Sequence, residues 1–232
     1  MNNNIIIACK ILQNELEMAV DLAGKEYPII WIDADYHNDP EKLRTRLQSE
    51  IDRLKNVDNI LFSYGCCGNG LVGLKATTAN LIIPKTDDCI SMLLSRPAER
   101  AERPKDTYFL TKGWLDSAEN IINEYLYTVK KYGLKRAKRL YKIMLKHYNN
   151  LMLIDTGAYK LKEALPKAED FAEKTDLKLI IKKGNLWLLQ KLLTGPHDNN
   201  FCVIPKGSTV SLDDFGYDCI EQVHHQGHIN IS

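Results

Sequence analysis

The chain has 232 residues, with 31 Lys and Arg against 30 Asp and Glu and a net charge of +1. This length suffices for a full hydrophobic core, and the balanced charge gives no global field that would attract nucleic acid or an anionic membrane. The N-terminus has a short apolar run without a basic region, and no stretch approaches the length of a membrane span, so we expect a cytoplasmic protein. Its six cysteines are unevenly spaced and should be reduced.

Apolar runs alternate with helical patterns over the first hundred residues. Strands are predicted in "NIIIACKIL", "YPIIWIDA", "NILFSYG" and "NLIIPK". Helices are predicted over "NELEMAVDLAG", "DPEKLRTRLQSEIDRLKN" and "DDCISMLLS", with a further helix opening near Gly70. This order predicts an α/β fold in which a mostly parallel, Rossmann-like sheet carries helices on both faces.

The second half begins with a charged, proline-containing connection, "RPAERAERPKD". The strand pattern "TYFLTKGW" is followed by a long helical stretch that we expect to break at Gly133, and then by a strand, strand, helix and strand order. We therefore expect a single α/β domain over residues 1–232, made of two α/β halves joined by a helical segment. A division into lobes would separate residues 1–115 from 116–232. The polar end, with His224, His225 and His228, is expected to be loosely ordered.

Thiols and an imidazole follow the first four predicted strands. Cys9 ends the first strand, His37 follows the second, and Cys67 and Cys89 follow the third and fourth. The carboxyl ends of parallel strands meet at one edge of a sheet, so these groups should lie close together. Such a Cys3His set suits zinc or an iron–sulfur cluster, because soft thiolates select these metals. No CxxC spacing is present, and packed thiols or a thiol nucleophile remain alternatives.

A glycine-rich turn, "GCCGNGLVG", follows the third strand. Its glycines, Gly65, Gly68 and Gly70, could direct backbone N–H groups at an anion or let the backbone approach a cofactor. The turn lacks the Lys-Ser/Thr ending of a P-loop and the dinucleotide fingerprint. The start of a following helix would lower the pKa of Cys66 or Cys67. Alternation along the strand predicts that these two thiols face opposite sides.

The remaining candidates are weaker. Asp155 ends a later strand and could bind a ligand, although capping is the ordinary role of such a residue. Lys75, Tyr108 and Thr111 could line a ligand site, but a structural role explains each of them better. Between Lys130 and Lys146 there are eight Lys or Arg residues and no Asp or Glu. A solvated face of an amphipathic helix explains this basic segment better than an anionic partner does.

Several motifs together resemble one family over nearly the whole chain. They are "IIIACKIL", "YHNDPEKL", "SYGCCGNGL", "DDCISMLL", "TYFLTKGW", "HYNNLMLIDTG" and "LLTGPHDNNFCVIP". The family is the one catalogued as domain of unknown function 1638. The resemblance places Cys9, His37, Cys67 and Cys89 at recurrent positions. Lys10 stands where the family usually has glycine, and Cys66 is an additional thiol.

The resemblance also implies a biological setting. Members of this family are found in methanogenic archaea and anaerobic bacteria, often encoded near corrinoid-dependent methyltransferases. We therefore expect a metal- or cluster-binding protein of anaerobic one-carbon metabolism. The expected cofactor is zinc or an iron–sulfur cluster, and a corrinoid is a further possible cofactor. The alternative is a non-enzymatic accessory or cofactor carrier that docks on a corrinoid methyltransferase. Whether the protein is an enzyme stays open at this point.

Overall fold

A computed structural model describes residues 3–97, 99, 101 and 103–216, which form eight strands and eight α-helices. The first half contains β1 (Asn4–Cys9), α1 (Gln13–Ala23), β2 (Ile29–Ile32), α2 (Pro40–Arg53), β3 (Asn59–Ser63), β4 (Asn80–Pro84) and α3 (Cys89–Leu94). The second half contains β5 (Thr107–Leu110), α4 (Lys112–Asp116), α5 (Ile121–Tyr132), α6 (Leu134–Met144), β6 (Asn150–Asp155), α7 (Leu161–Thr175), β7 (Lys178–Lys183), α8 (Trp187–Thr194) and β8 (Phe201–Ile204). The predicted α/β class is confirmed. The three C-terminal histidines lie outside the described residues.

The chain forms two compact units. One comprises residues 1–100 together with 186–232, and the other comprises residues 101–185. The chain returns to the first unit because β8 pairs with β4. These boundaries differ from the single division at residue 115 that the sequence suggested, since a strand's sheet partner cannot be identified from its own sequence. None of the described helices is long and apolar enough to cross a membrane.

The first unit contains a five-stranded sheet in the order β2-β1-β3-β4-β8. The first four strands are parallel, and β8 runs antiparallel to β4. The register pairs Cys9 with Ile32 and Ala8 with Ser63, so the carboxyl ends of β2, β1 and β3 are nearly level. The chain order reverses between β1 and β3, which is where open parallel sheets form a crevice.

Local signals explain how the helices around this sheet begin and end. Pro40 occupies the first turn of α2, where its missing N–H costs nothing, and the Asp39 carboxylate accepts hydrogen bonds from the N–H groups of Glu41 and Lys42. Gly24 ends α1 in the left-handed conformation. The Asp39 cap fixes the end of the loop between β2 and α2, which contains His37.

The connection between β3 and β4 is built from turns, and the helix expected near Gly70 is absent from this described segment. Cys67, Gly68 and Asn69 have φ values of 48°, 65° and 68°, which a right-handed helix cannot accommodate. Further along, the N–H of Gly73 donates to the carbonyl of Val210. The prediction of a helix was therefore wrong because successive left-handed residues interrupt it.

The second unit contains a parallel sheet in the order β5-β6-β7. Helices α5 and α6 lie between β5 and β6 in the chain, so the helical segment belongs inside this unit and does not join two halves. Gly133 separates the two helices, as predicted. The core of this unit centres on Tyr125, Tyr141 and Phe171, whose rings meet edge to face at 5.0–6.5 Å.

Candidate functional site

The four predicted ligand residues all lie at the carboxyl edge of the first sheet. Cys9 is the last residue of β1, and His37 lies in a 3-10 turn (Ala34–Asn38) that follows β2. Cys67 lies in the turn after β3, and Cys89 is the first residue of α3, after β4. The three thiols are buried, with exposed fractions of 1%, 8% and 4% in chain order, whereas His37 is half-buried.

Two members of this set approach each other at neighbouring strand ends. The Sγ atom of Cys9 lies 3.9 Å from the Nδ1 atom of His37. Lys10 forms an exposed ion pair of 3.1 Å with Asp33, which directly follows β2. The side chain of Lys10 thus turns toward solvent and leaves the approach between Cys9 and His37 open.

Tyr64 interacts electrostatically with the three thiols. Its role was not identified from the sequence. Burial raises the pKa of its hydroxyl well above the usual range, and the charges of Cys9, Cys67 and Cys89 raise it further. The Tyr64 hydroxyl therefore lies within electrostatic reach of all three sulfur atoms. In the sequence it follows an apolar strand and is typical of a core aromatic residue, so only its position directly before Gly65 could have marked it.

The thiols themselves are held in their neutral form. Burial raises the pKa of Cys9 to about 11, partly opposed by hydrogen bonds from the backbone at Ile11 and from the Tyr64 side chain. Burial also raises the pKa of Cys67 well above its usual range, as do the neighbouring Cys89 and Cys9. The expectation that a helix start would lower the pKa of Cys67 was wrong, because turns replace that helix and the thiol is buried.

The glycine turn is tied to the loop after β4. The N–H of Cys66 donates to the Thr86 carbonyl at 2.7 Å, and the N–H of Cys67 donates to the Asp87 carbonyl at 2.8 Å. A Cβ atom at Gly65 would lie 2.6 Å from the Thr86 carbonyl oxygen, closer than real Cβ contacts allow. The absence of a side chain at Gly65 therefore allows the backbone of the glycine turn to lie close to the loop after β4.

The other two glycines of the turn have different surroundings. Gly68 has a φ of 65°, and a Cβ at Gly70 would meet the Leu43 side chain at 2.8 Å. The N–H of Gly70 donates to the Cys67 carbonyl at 3.1 Å. Together with the bonds from Cys66 and Cys67, this leaves these three N–H groups engaged by carbonyl oxygens, so they are not available to cradle an anion.

The adjacent cysteines have different neighbours, although both lie in the turn after β3 (Asn59–Ser63), where the alternation of a strand does not apply. The Cys66 thiol donates to Asn69 Oδ1 at 3.4 Å, and its charge contributes to the raised pKa of Cys202 on β8. Cys67 instead interacts with Cys9 and Cys89. Cys66 is therefore placed apart from the set that Cys67 joins.

Three buried hydroxyl groups at the end of β3, after β4 and in α3 have no hydrogen-bond partner within the described part of the chain. They belong to Ser63, Thr86 and Ser91, all at most 8% exposed. Buried polar atoms are ordinarily paired, and each unpaired one is costly. The carboxyl edge of the first sheet therefore contains three hydroxyl groups without a protein partner. Single hydroxyl residues at strand and helix ends give no such signal in a sequence.

The weaker candidates make local contacts. Asp155 Oδ1 accepts a hydrogen bond from the N–H of Gly157, and Thr111 Oγ1 accepts one from the N–H of Trp114 as the cap of α4. Tyr108 is packed against the core of the second unit, where burial raises its pKa. Lys75 donates its backbone N–H to Gln48 Oε1. Asp155, Tyr108 and Thr111 belong to the second unit, so the fold does not place them on the sheet that carries the thiols.

The donor atoms at this edge are of the types that bind soft metals. Within the described part of the chain, no three His, Cys, Asp or Glu side chains are already arranged around a common point as a metal site. Ligation would thus require the thiols to reorient toward one point near Tyr64. Thiolate and imidazole donors select zinc, copper(I) or iron–sulfur clusters over magnesium and calcium.

Comparison with known proteins identifies one family. A sequence model described as "Protein of unknown function (DUF1638)" matches residues 31–193. This region contains His37, Cys67 and Cys89, and it begins after Cys9. No curated protein and no solved structure matches the chain significantly.

Proposed function

This chain belongs to the DUF1638 family, and from its own residues we propose that it binds a soft metal ion or an iron–sulfur cluster. The proposed ligands are the three thiols and the imidazole at the strand ends, Cys9, His37, Cys67 and Cys89. The family description assigns no activity, so the proposal depends on the chemistry of this site.

The observation that carries the proposal is that soft donors follow four parallel strands at the same edge of one sheet. Cys9 and His37 are already 3.9 Å apart between sulfur and nitrogen. Zinc bonds of about 2.3 Å to sulfur and about 2.0 Å to nitrogen at a tetrahedral angle would separate these atoms by about 3.5 Å. This pair therefore needs only a small adjustment to share an ion.

The electrostatics of the site favour metal binding over catalysis by a free thiol. A thiol with its pKa raised to about 11 is almost fully protonated at neutral pH and is a poor nucleophile. Three buried thiolates would repel one another, and a bound cation offsets that repulsion while displacing the thiol protons. The buried hydroxyls of Ser63, Thr86 and Ser91 can then donate to thiolate sulfur.

The reaction that we propose for this site is methyl transfer in anaerobic one-carbon metabolism. With three of these residues as ligands and the fourth position open, zinc would supply Lewis acidity that stabilises a substrate thiol as its thiolate, whereas a cluster would supply electron transfer. In either case Tyr64 would donate a hydrogen bond to a ligand sulfur, and the burial of Cys9 would exclude water. The expected genomic neighbourhood of corrinoid methyltransferases motivates this choice of reaction.

The test is metal analysis of protein purified without oxygen, together with its visible absorption spectrum. We expect close to one equivalent of zinc, or iron with inorganic sulfide and a coloured protein. Cys67→Ser should lose most of the metal, whereas Cys66→Ser is the matched control in the same turn and should retain it. Protein that holds no metal after reconstitution, or equal loss in both variants, contradicts the proposed ligand set.

A second candidate function is that of an accessory protein that docks on a corrinoid methyltransferase. It is favoured by an uneven distribution of charge, which the whole-chain value of +1 conceals. Residues 101–185 contain 18 Lys and Arg against 11 Asp and Glu, whereas the remainder contains 13 against 19. The positive charge is concentrated between Lys130 and Lys146, where all eight cationic side chains are exposed.

This docking can be tested by reversing charge on α6. The substitutions Lys135→Glu, Lys138→Glu and Arg139→Glu should together weaken binding to a purified corrinoid methyltransferase. Added salt should also weaken binding of the unmodified protein to the methyltransferase. The matched control reverses three exposed lysines of β7 in the same unit, Lys178, Lys182 and Lys183. Equal effects of the two triple variants would contradict docking through α6.

A further inference from the structure

The strand β2 forms an edge of the first sheet and pairs with β1 alone among the described strands. The N–H of Ile6 donates to the Pro28 carbonyl at 2.9 Å. The register places Ile29 opposite Ile6 and Trp31 opposite Ala8. Backbone groups alternate in direction along a strand, so those of Ile29 and Trp31 point away from β1. No hydrogen bond in the described ranges occupies these outward groups.

This edge lacks the features that ordinarily prevent strand pairing. At an edge of the other sheet, β7 carries three exposed lysines, and lysine discourages association through an edge. By contrast, β2 has the uncharged sequence IIWI, and its first three residues are half-buried. Pro28 precedes the strand, but its missing N–H lies on the side that faces β1. The outer side of β2 can therefore accept another strand.

An exposed apolar pair lies on the helix beside this edge. The helix α8 packs against β3 and β4, and α1 packs against α8. Since β1 and β2 lie beyond β3 in the sheet order, α1 covers the part of the sheet nearer to the open edge. Met18 and Leu22, one turn apart on α1, are 37% and 62% exposed. The first unit thus presents apolar side chains next to an open strand.

We infer that two copies of this chain form a dimer by antiparallel pairing of their β2 strands about a two-fold axis at Ile30. Ile29 of one copy faces Trp31 of the other, and each such pair exchanges both of its outward backbone hydrogen bonds. The two five-stranded sheets join into one, with both α1 helices on the same face. Because a pair of four-residue strands is marginal alone, Met18 and Leu22 of the two copies supply the apolar contact.

Two charged residues favour this register. Lys25 and Asp35 lie five positions before and after Ile30, and neither forms an ion pair in the described ranges. Pairing about Ile30 brings Lys25 of each copy toward Asp35 of the other. A slip of one position would set Glu26 against Asp35 and align outward backbone groups with inward ones. This arrangement does not depend on a metal at the thiol site.

The test is the mass of the full-length protein in solution, measured by sedimentation equilibrium over a wide range of concentrations. We expect a reversible dimer with twice the chain mass of 26.5 kDa. Leu22→Glu should raise the dissociation constant by at least about tenfold, because it places like charges in an apolar contact. Leu126→Glu is the matched control, since Leu126 is 48% exposed on α5 in the second unit. This control should leave the dissociation constant unchanged.

An exchange of charge tests the register. Lys25→Glu should weaken the dimer because it sets two carboxylates against each other, and Asp35→Lys should weaken it because it sets two ammonium groups together. The chain that carries both substitutions again has opposite charges at each contact, so its dissociation constant should return close to that of the original protein. Additive losses in the double variant would overturn the inferred register.

A proline at the outward position tests the backbone pairing. Ile29→Pro removes an N–H that points away from β1, so it should keep the fold, measured by circular dichroism, and abolish the dimer. If this variant does not fold, Leu22→Glu and the charge exchange decide the question. A protein that is monomeric at every concentration overturns the inference. A dimer that Leu22→Glu leaves intact, or that Leu22→Glu and Leu126→Glu weaken equally, forms through another surface and overturns it too.

Discussion

The Sγ atom of Cys9 and the Nδ1 atom of His37 lie 3.9 Å apart although 28 positions separate the two residues in the chain. Parallel pairing of β1 with β2 produces this approach, because the register aligns Cys9 with Ile32 at the ends of the two strands. The sheet therefore fixes the relative positions of thiol and imidazole. A substitution at His37 should change the chemistry of the site without disturbing the strands that support it.

We expect His37→Ala to lose most of the bound metal while its free energy of unfolding, measured without metal, falls by less than about 1 kcal/mol. The reason is that a half-buried imidazole contributes a ligand but little packing. His147→Ala is the control, since His147 is exposed in the second unit. Metal analysis measures the loss of bound metal, and urea unfolding of the metal-free protein measures the change in the free energy of unfolding. Unchanged metal content in His37→Ala would remove this residue from the ligand set.

The contact between Gly65 and the loop after β4 leads to a second prediction. A Cβ at Gly65 would press on the Thr86 carbonyl and on the Asp88 nitrogen at 2.6 and 2.8 Å. Gly65→Ala should therefore lower the free energy of unfolding by about 1–3 kcal/mol through overpacking. It should also reduce metal binding, because the displaced loop carries Cys89.

Gly24→Ala separates these two effects. Gly24 has a φ of 58° with nothing within 4 Å of an added Cβ, so the substitution costs about 1–2 kcal/mol of backbone strain alone. Metal content should fall in Gly65→Ala and remain normal in Gly24→Ala. If both variants retain the metal, the glycine turn does not position the thiols.

The sequence was sufficient to predict the order of the first four strands and which segments follow them. Apolar runs and caps at Pro40 and Gly24 defined the strand and helix order, and the rule for parallel sheets then placed Cys9, Cys67 and Cys89 on one edge. That rule operates on strand ends and needs no knowledge of side-chain packing. For this reason the location of the candidate site could be predicted although its detailed geometry could not.

Features that depend on partners distant in the chain could not be predicted. β8 has the same apolar pattern as the parallel strands, and only its pairing with β4 reveals that it is antiparallel and belongs to the first sheet. Tyr64 has the pattern of a core residue, and its relation to three thiols arises from folding. The left-handed φ values at Cys67 and Asn69 likewise contradict the residue preferences that suggested a helix.

The Tyr64 hydroxyl gives a third prediction. Its hydrogen bond is one of the contributions that lower the pKa of Cys9, so Tyr64→Phe should raise the pKa of that thiol further. The variant should lose no more than about 1 kcal/mol of stability, which is the typical net contribution of one hydrogen bond. Thiolate absorbance during an alkaline titration measures the change. A lower Cys9 pKa in Tyr64→Phe would contradict the assigned contact.

Alkaline pH should destabilise the metal-free protein through its buried thiols. Burial raises the pKa of Cys9 from 9.0 to about 11, so the folded state holds this proton more tightly than the unfolded state does. The stability gained from that difference is complete below about pH 9 and is lost as the pH rises through about 11. A shift of two pKa units changes the free energy of unfolding by at most about 2.7 kcal/mol. Urea unfolding at neutral pH and at about pH 10.5 measures the loss. Cys9→Ser has no titrating group at this position and should lose less stability over the same interval, although Cys67 and Tyr64 shift in the same direction in both proteins. Equal losses in the two proteins would show that Cys9 is not the buried thiol that sets this dependence.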